Sequence, residues 1–155
     1  MIKLAQENDF VQLANMRWEH NKEDDITYDE DNISGIDKDE FIKEYVNFLK
    51  TESKYKIFIM KNDEKIVAAM YVMMVRKVPK PKKRVSYIAY LTNVHTLKNY
   101  RNQGIGTEML SYIKNYLKQN RCESVILWPS EKSVDWYVRN GFKLENEILE
   151  CELWD

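Results

Sequence analysis

The segment Arg101-Asn102-Gln103-Gly104-Ile105-Gly106-Thr107 combines residue types that can bind an anion. Glycines two positions apart let the backbone approach a ligand closely, and a helix starting here would turn its free N–H groups toward that ligand. Because a helix start also carries partial positive charge, this would be an anion site, and Arg101 adds a full charge. The spacing differs from a dinucleotide fingerprint, which needs a third glycine, and from a Walker loop, which needs Gly-Lys-Ser/Thr. Two glycines at a strand-to-helix turn can also serve close packing alone.

Such a turn needs a strand before it and a helix after it. From Ile105 onward, Met109, Leu110, Ile113, Tyr116 and Leu117 recur at helical spacing to about Gln119, and residues 84–91 before the turn are rich in β formers. Upstream, residues 2–4 read as a short strand. Asp9 is expected to cap a helix bearing Phe10, Leu13, Ala14, Arg17 and Trp18, and residues 19–35 lack periodicity and read as an acidic loop. Asp37 followed by Glu40 is an Asp version of the capping box and opens a helix with Phe41, Ile42, Tyr45, Phe48 and Leu49 on one face. Strand 55–60, the turn Asn62-Asp63 and the apolar run 66–75 form a hairpin, and residues 84–91 continue a second one beyond a basic, proline-containing connection. Downstream come a buried strand at 125–128, a short helix at 133–140 ended by Gly141, and a final strand at 147–153. The order βααβββαβαβ defines an α/β (α+β) protein with a mixed sheet and helices on its faces.

The 155 residues fit a single domain, 1–155. With 44% hydrophobic and 32% charged residues and only 4 Gly and 3 Pro, disorder and low complexity are excluded. The longest apolar run, 66–75, is about half the length of a membrane helix, and the first residues turn polar at once, so a cytoplasmic protein is expected. Cys122, Cys151, His20 and His95 lack the spacing of a disulfide framework or zinc site, so no metal is expected. A formal charge of -1 conceals asymmetry: residues 1–53 carry 14 acids and 6 bases, residues 54–121 carry 3 and 15, and residues 122–155 carry 8 and 3. The basic middle suits an anionic ligand, and the acidic first third, with Glu23-Asp24-Asp25 and Asp29-Glu30-Asp31, suits a cationic one.

The stretch 91–106, followed by Trp136-Tyr137-Val138-Arg139-Asn140-Gly141-Phe142, resembles the GNAT family of acetyl-CoA-dependent N-acetyltransferases over the C-terminal two-thirds of the chain. The resemblance implies the GNAT fold, a mixed, mostly antiparallel central sheet flanked by helices on both faces. It also implies acetyl transfer to a primary amine of a small molecule or peptide. Arg101, Asn102, Gln103, Gly104, Ile105, Gly106 and Thr107 would hold the coenzyme A pyrophosphate. A bulge in the preceding strand would expose backbone groups of Val94, His95 and Thr96 to the pantetheine arm, as a bulge leaves groups outside the ladder. Ser133 matches a position that touches the same arm, with a helix cap as its other role. Tyr137 matches a tyrosine that protonates the departing thiolate, and a buried aromatic is the other reading of it.

Placement of the two reactants supplies much of the catalysis, and an amide of Val94 or a neighbour is expected at the thioester oxygen. Residues 85–96 hold no carboxylate, which leaves the general base unassigned; Glu19 and His20 are candidates for the acceptor side. The acidic first third ranks cationic amines first as acceptors. Two other classes compete: an acyl-CoA-binding sensor without turnover, and a nucleic-acid contact through residues 76–84, where six of nine are basic. The apolar and aromatic C-terminal strand ending at Trp154 is compatible with a homodimer.

Overall fold

The computed structural model describes residues 1–24, 37–144 and 147–154. Strands β1 (Ile2–Leu4), β2 (Lys56–Asn62), β3 (Lys65–Arg76), β4 (Tyr87–Thr96) and β5 (Cys122–Ile126) form one sheet in that order. Every neighbouring pair is antiparallel except β4 and β5. That parallel pair requires a crossover, which helix α3 (Ile105–Gln119) provides. The expected α/β class holds: the sheet is mixed and mostly antiparallel, with helices on both faces.

Helices α1 (Phe10–Asp24) and α2 (Lys38–Thr51) cover one face, where Leu13 and Leu49 pack with Ile57, Ile59, Ile66, Ala69 and Tyr71. On the other face, Met109, Leu110, Ile113 and Leu117 of α3 and Tyr137 of α4 (Val134–Arg139) pack on Phe58, Met70, Val72, Ala89 and Leu91. Strand β3 lies between both layers and is buried from Ile66 to Val72. Cover on both faces explains why its sequence is continuously apolar rather than alternating.

Several local signals of the sequence reappear in the structure. Asp37 accepts the Glu40 amide at 2.8 Å and caps α2. Asp63 at φ 53 makes the tight turn between β2 and β3, and Gly141 at φ 93 ends α4. Tertiary context changes other readings. Asp9 does not cap α1 by accepting from a later amide; it closes a 3-10 turn, accepts from the Gln6 amide at 2.9 Å and pairs with Lys61 at 2.6 Å while fully buried. The segment 19–35 is not a loop throughout, because α1 continues to Asp24; residues 25–36 lie outside the described residues.

Strand β4 begins at Tyr87, three residues later than residue 84, and runs on to Thr96. Ahead of it the basic connection folds back on itself through a Lys80–Lys83 bridge, and Glu123 on β5 gathers Lys77 at 2.7 Å and Lys83 at 2.8 Å. The expected buried strand at 125–128 is instead β5, which starts at Cys122, ends at Ile126 and leaves Trp128 60% exposed. The short helix at 133–140 is trimmed to Val134–Arg139. Residues 147–154 form no strand, and their apolar side chains stay outside, with Trp154 93% exposed. Alternation alone cannot make a strand that lacks a neighbour to pair with. Both cysteines are free thiols. Among the described residues no helix is long and apolar enough to cross a membrane.

Candidate functional site

β4 runs beside β5 only as far as Tyr90, which faces Ile126; from Leu91 to Thr96 its register is with β3 alone. Within that stretch, Ala69 of β3 faces His95 and Tyr71 faces Thr92. Asn93 and Val94 therefore share the single residue Met70, which is a bulge. Asn93 sits at φ 49, a left-handed conformation that asparagine tolerates better than most residues. The expected bulge is thus present, next to the point where β5 leaves the strand.

The glycine turn follows directly. Gly104 is the N-cap of α3 at φ 80, with no side chain capping the helix, and the first helical bond runs from Glu108 N–H to its carbonyl at 3.0 Å. The amides of Ile105, Gly106 and Thr107 precede that bond and have no acceptor within the helix. Asn102 also lies in the left-handed region, at φ 61, and Gln103 donates to the Asn99 carbonyl at 3.1 Å, closing the turn from behind. Open amides at the start of a 15-residue helix are able to receive an anion.

Arg101 is placed differently from the expectation of a free charge at this turn. Its Nε donates to the Thr96 carbonyl at 2.9 Å and its Nη2 meets Glu23 of α1 at 2.5 Å. Burial alone would raise the Glu23 carboxyl, but the Arg101 hydrogen bond and charge outweigh it and hold the group below its ordinary range. His20 and His95, far apart in sequence, stack with ring centres 4.1 Å apart. The His95 side chain is buried toward α1, so only its backbone faces the open stretch of β4. Glu19 points away to solvent and pairs with Lys38 at 3.5 Å. Among the described residues no cluster of three His, Cys, Asp or Glu could hold a metal.

Tyr137 is 8% exposed and packs edge-on against Trp136 and Phe142, with ring centres 4.8 and 5.4 Å away. Burial pushes its phenol up to about 12. It lines a cavity of about 500 Å³ whose described walls come from β5, α4, residues 141–144 and Ile148, with none from the 101–107 turn. Ser133 precedes α4 but does not cap it; its hydroxyl donates to the Ser130 carbonyl at 3.0 Å.

One part of the site escaped the sequence reading. Asn93 joins Arg17, Tyr45 and Tyr71 in a hydrogen-bonded group under the bulge. The available signal was an asparagine between Thr92 and Val94, in a strand otherwise made of β formers, where asparagine is disfavoured unless the backbone departs from the ladder.

The site as a whole is a parallel β4–β5 pair that opens beyond a bulge, with a glycine turn and a helix start at its mouth. The sequence pattern of the Acetyltransferase (GNAT) family matches residues 10–142. The chain belongs to this family, whose common chemistry is acetyl transfer from acetyl-CoA. Among solved structures, a Clostridium acetobutylicum protein described as a predicted acetyltransferase, determined with acetyl-CoA, is 23% identical, with 99% of this chain and 96% of that one covered at a TM-score of 0.71. A Trypanosoma brucei acetyltransferase is 16% identical, with 99% of each chain covered at 0.67. A Bacillus halodurans transcriptional regulator is 20% identical, with 98% of each covered at 0.68. At these identities the likeness is one of fold, and function has to be argued from the site.

Proposed function

We propose that this chain is a single N-acetyltransferase domain that moves an acetyl group from acetyl-CoA to a primary amine. The observation that carries the reading is the bulge at Asn93 and Val94 standing where β4 loses β5 and leading directly into the Gly104 turn. Acetyl-CoA supplies an activated thioester. The amides of residues 104–107 would hold its pyrophosphate, and Val94 and Thr96 would pair with its pantetheine arm as a strand does.

The Val94 amide would donate to the thioester oxygen as negative charge grows there, which makes the carbonyl carbon a better target for a neutral amine. Tyr137, kept protonated by burial, would give its proton to the sulfur as the carbon–sulfur bond breaks, and the proton lost by the amine goes to water or a base. The base is unassigned; Glu19, which would first have to leave Lys38, and His20, stacked on His95, would be the candidates for the acceptor side. The acidic balance of residues 1–53 favours a cationic acceptor, whose affinity would fall as salt rises.

The test is a calorimetric titration with acetyl-CoA of the natural protein and of Gly104→Asp, followed by a panel of amines with cationic ones first. Micromolar binding lost in the variant supports the site. Absence of binding by the natural protein removes the reading.

A further inference from the structure

Asn93 is where both helices of the α1 and α2 layer reach the bulge. Its side-chain oxygen accepts from Arg17 Nη1 at 3.2 Å, and its Nδ2 donates to Tyr45 Oη at 3.4 Å. The Tyr45 hydroxyl donates onward to Tyr71 Oη at 2.7 Å, and Tyr71 lies on β3 opposite Thr92, the residue just before the bulge. One partner therefore comes from α1, one from α2 and one from the neighbouring strand. Tyr71 is 3% exposed, and burial pushes both phenols upward, so the two hydroxyls stay protonated and able to donate.

On backbone shape alone, a positive-φ position in a strand admits glycine or asparagine, so the asparagine's role has to be read from what its side chain holds. This chain has asparagine there and ties its side chain at both ends, which fixes the peptide plane between Asn93 and Val94 instead of leaving it free to rotate. An amide that stabilises developing charge works only if it is aimed before the reaction begins, because reorienting it during the step costs what it would contribute.

We infer that Asn93 is a positioning residue, whose clamp between Arg17 and Tyr45 holds the bulge so that the Val94 amide points at the acyl oxygen. This rests on the acetyltransferase reading above. If the group served only to join helices to sheet, its loss would lower stability without a selective effect on the thioester carbonyl.

The test uses acetyl-CoA labelled with carbon-13 at the acyl carbonyl, bound to the natural protein, Asn93→Gly, Asn93→Ala and Tyr45→Phe. Glycine accepts the backbone angle and keeps the fold available while removing the clamp. Isotope-edited infrared spectra report polarisation of the carbonyl, and calorimetry reports affinity. The natural protein is expected to shift the carbonyl band to lower frequency relative to free acetyl-CoA. Both Asn93 variants return it toward the free position, Tyr45→Phe returns it in part, and Kd stays within about threefold because the glycine cradle is untouched. On any amine that turns over, kcat falls on the order of a hundredfold while the KM for acetyl-CoA holds. An unshifted band in the natural complex, or a shift that survives in Asn93→Gly, overturns the inference. Failure of the natural protein to bind acetyl-CoA is a different result, which removes the acetyltransferase reading and this inference with it.

Discussion

A Cβ placed on Gly106 would meet Trp136 Cζ2 at 3.0 Å. The first turn of α3 thus leaves room for an aromatic ring from the segment carrying Tyr137, and the two glycines of the motif do different things. A Cβ on Gly104 would have nothing within 4 Å, but the residue sits at φ 80, so it is needed for backbone shape, while Gly106 is needed for space. Gly106→Val is expected to lose roughly 1–3 kcal/mol through overpacking. Trp136→Leu in the same chain should recover part of that, so urea unfolding of the double-mutant cycle will be non-additive. Strictly additive losses would mean the ring is not what the new side chain strikes.

Much of this arrangement was legible because its causes are local. Asp37 and Glu40 cap α2 by themselves, and the spacing from Met109 to Leu117 defines α3 whatever surrounds it. The end of α1, residues 19–24, was hidden because it carries His20, whose partner His95 is more than seventy residues away, and no apolar stripe continues past Trp18. Trp128 suggested a buried strand because an aromatic usually seeks cover; here its indole ring lies edge-on to Tyr90 and its Nε1 donates to Glu150 at the surface. The orientation of Arg101 toward Glu23 was equally out of reach, since spacing shows that a charge stands beside the turn and not which way it points.

Asp9 and Lys61 set a pH dependence of stability. Burial would raise the Asp9 carboxyl, but the Gln6 amide and Lys61 outweigh it, and the group titrates below the ordinary value of 3.8. A carboxyl depressed in the folded state stabilises above its unfolded pKa, and that contribution disappears as pH falls through the lower folded value. Asp9→Asn is therefore expected to cost about 1–2 kcal/mol at pH 7, where a charged acceptor is lost, and less at a second pH set below 3.8, on the way to the depressed folded value. Denaturant unfolding of both proteins at the two pH values checks this; an equal deficit at both would assign the cost to packing.

Tyr137 makes a prediction about rate rather than stability. With its phenol at about 12, it is protonated throughout the working range, so a proton donor at this position gives no alkaline fall in kcat below about pH 11. Tyr137→Phe should lower kcat about a hundredfold while calorimetric affinity for acetyl-CoA persists. Unchanged turnover would leave the ring as packing between Trp136 and Phe142, and an alkaline limb near pH 9 that vanishes in the variant would place its titration lower.

The Glu23–Arg101 pair decides how much positive charge reaches the glycine turn. Glu23 holds the guanidinium toward α1, and its carboxyl, depressed by that partner, keeps doing so until the pH falls through its lowered pKa. Glu23→Gln keeps the shape of the side chain but removes the competing charge, so Arg101 can serve a pyrophosphate more fully. Acetyl-CoA affinity is expected to rise severalfold at low ionic strength, with a steeper loss on adding salt than in the natural protein. The gain should shrink when both proteins are compared at acid pH, where the natural carboxyl is itself neutralised. Weaker binding by Glu23→Gln would reverse the assignment: the pair's contribution would then be to hold the start of the turn against α1, with Arg101 acting on the coenzyme only through the loop it steadies.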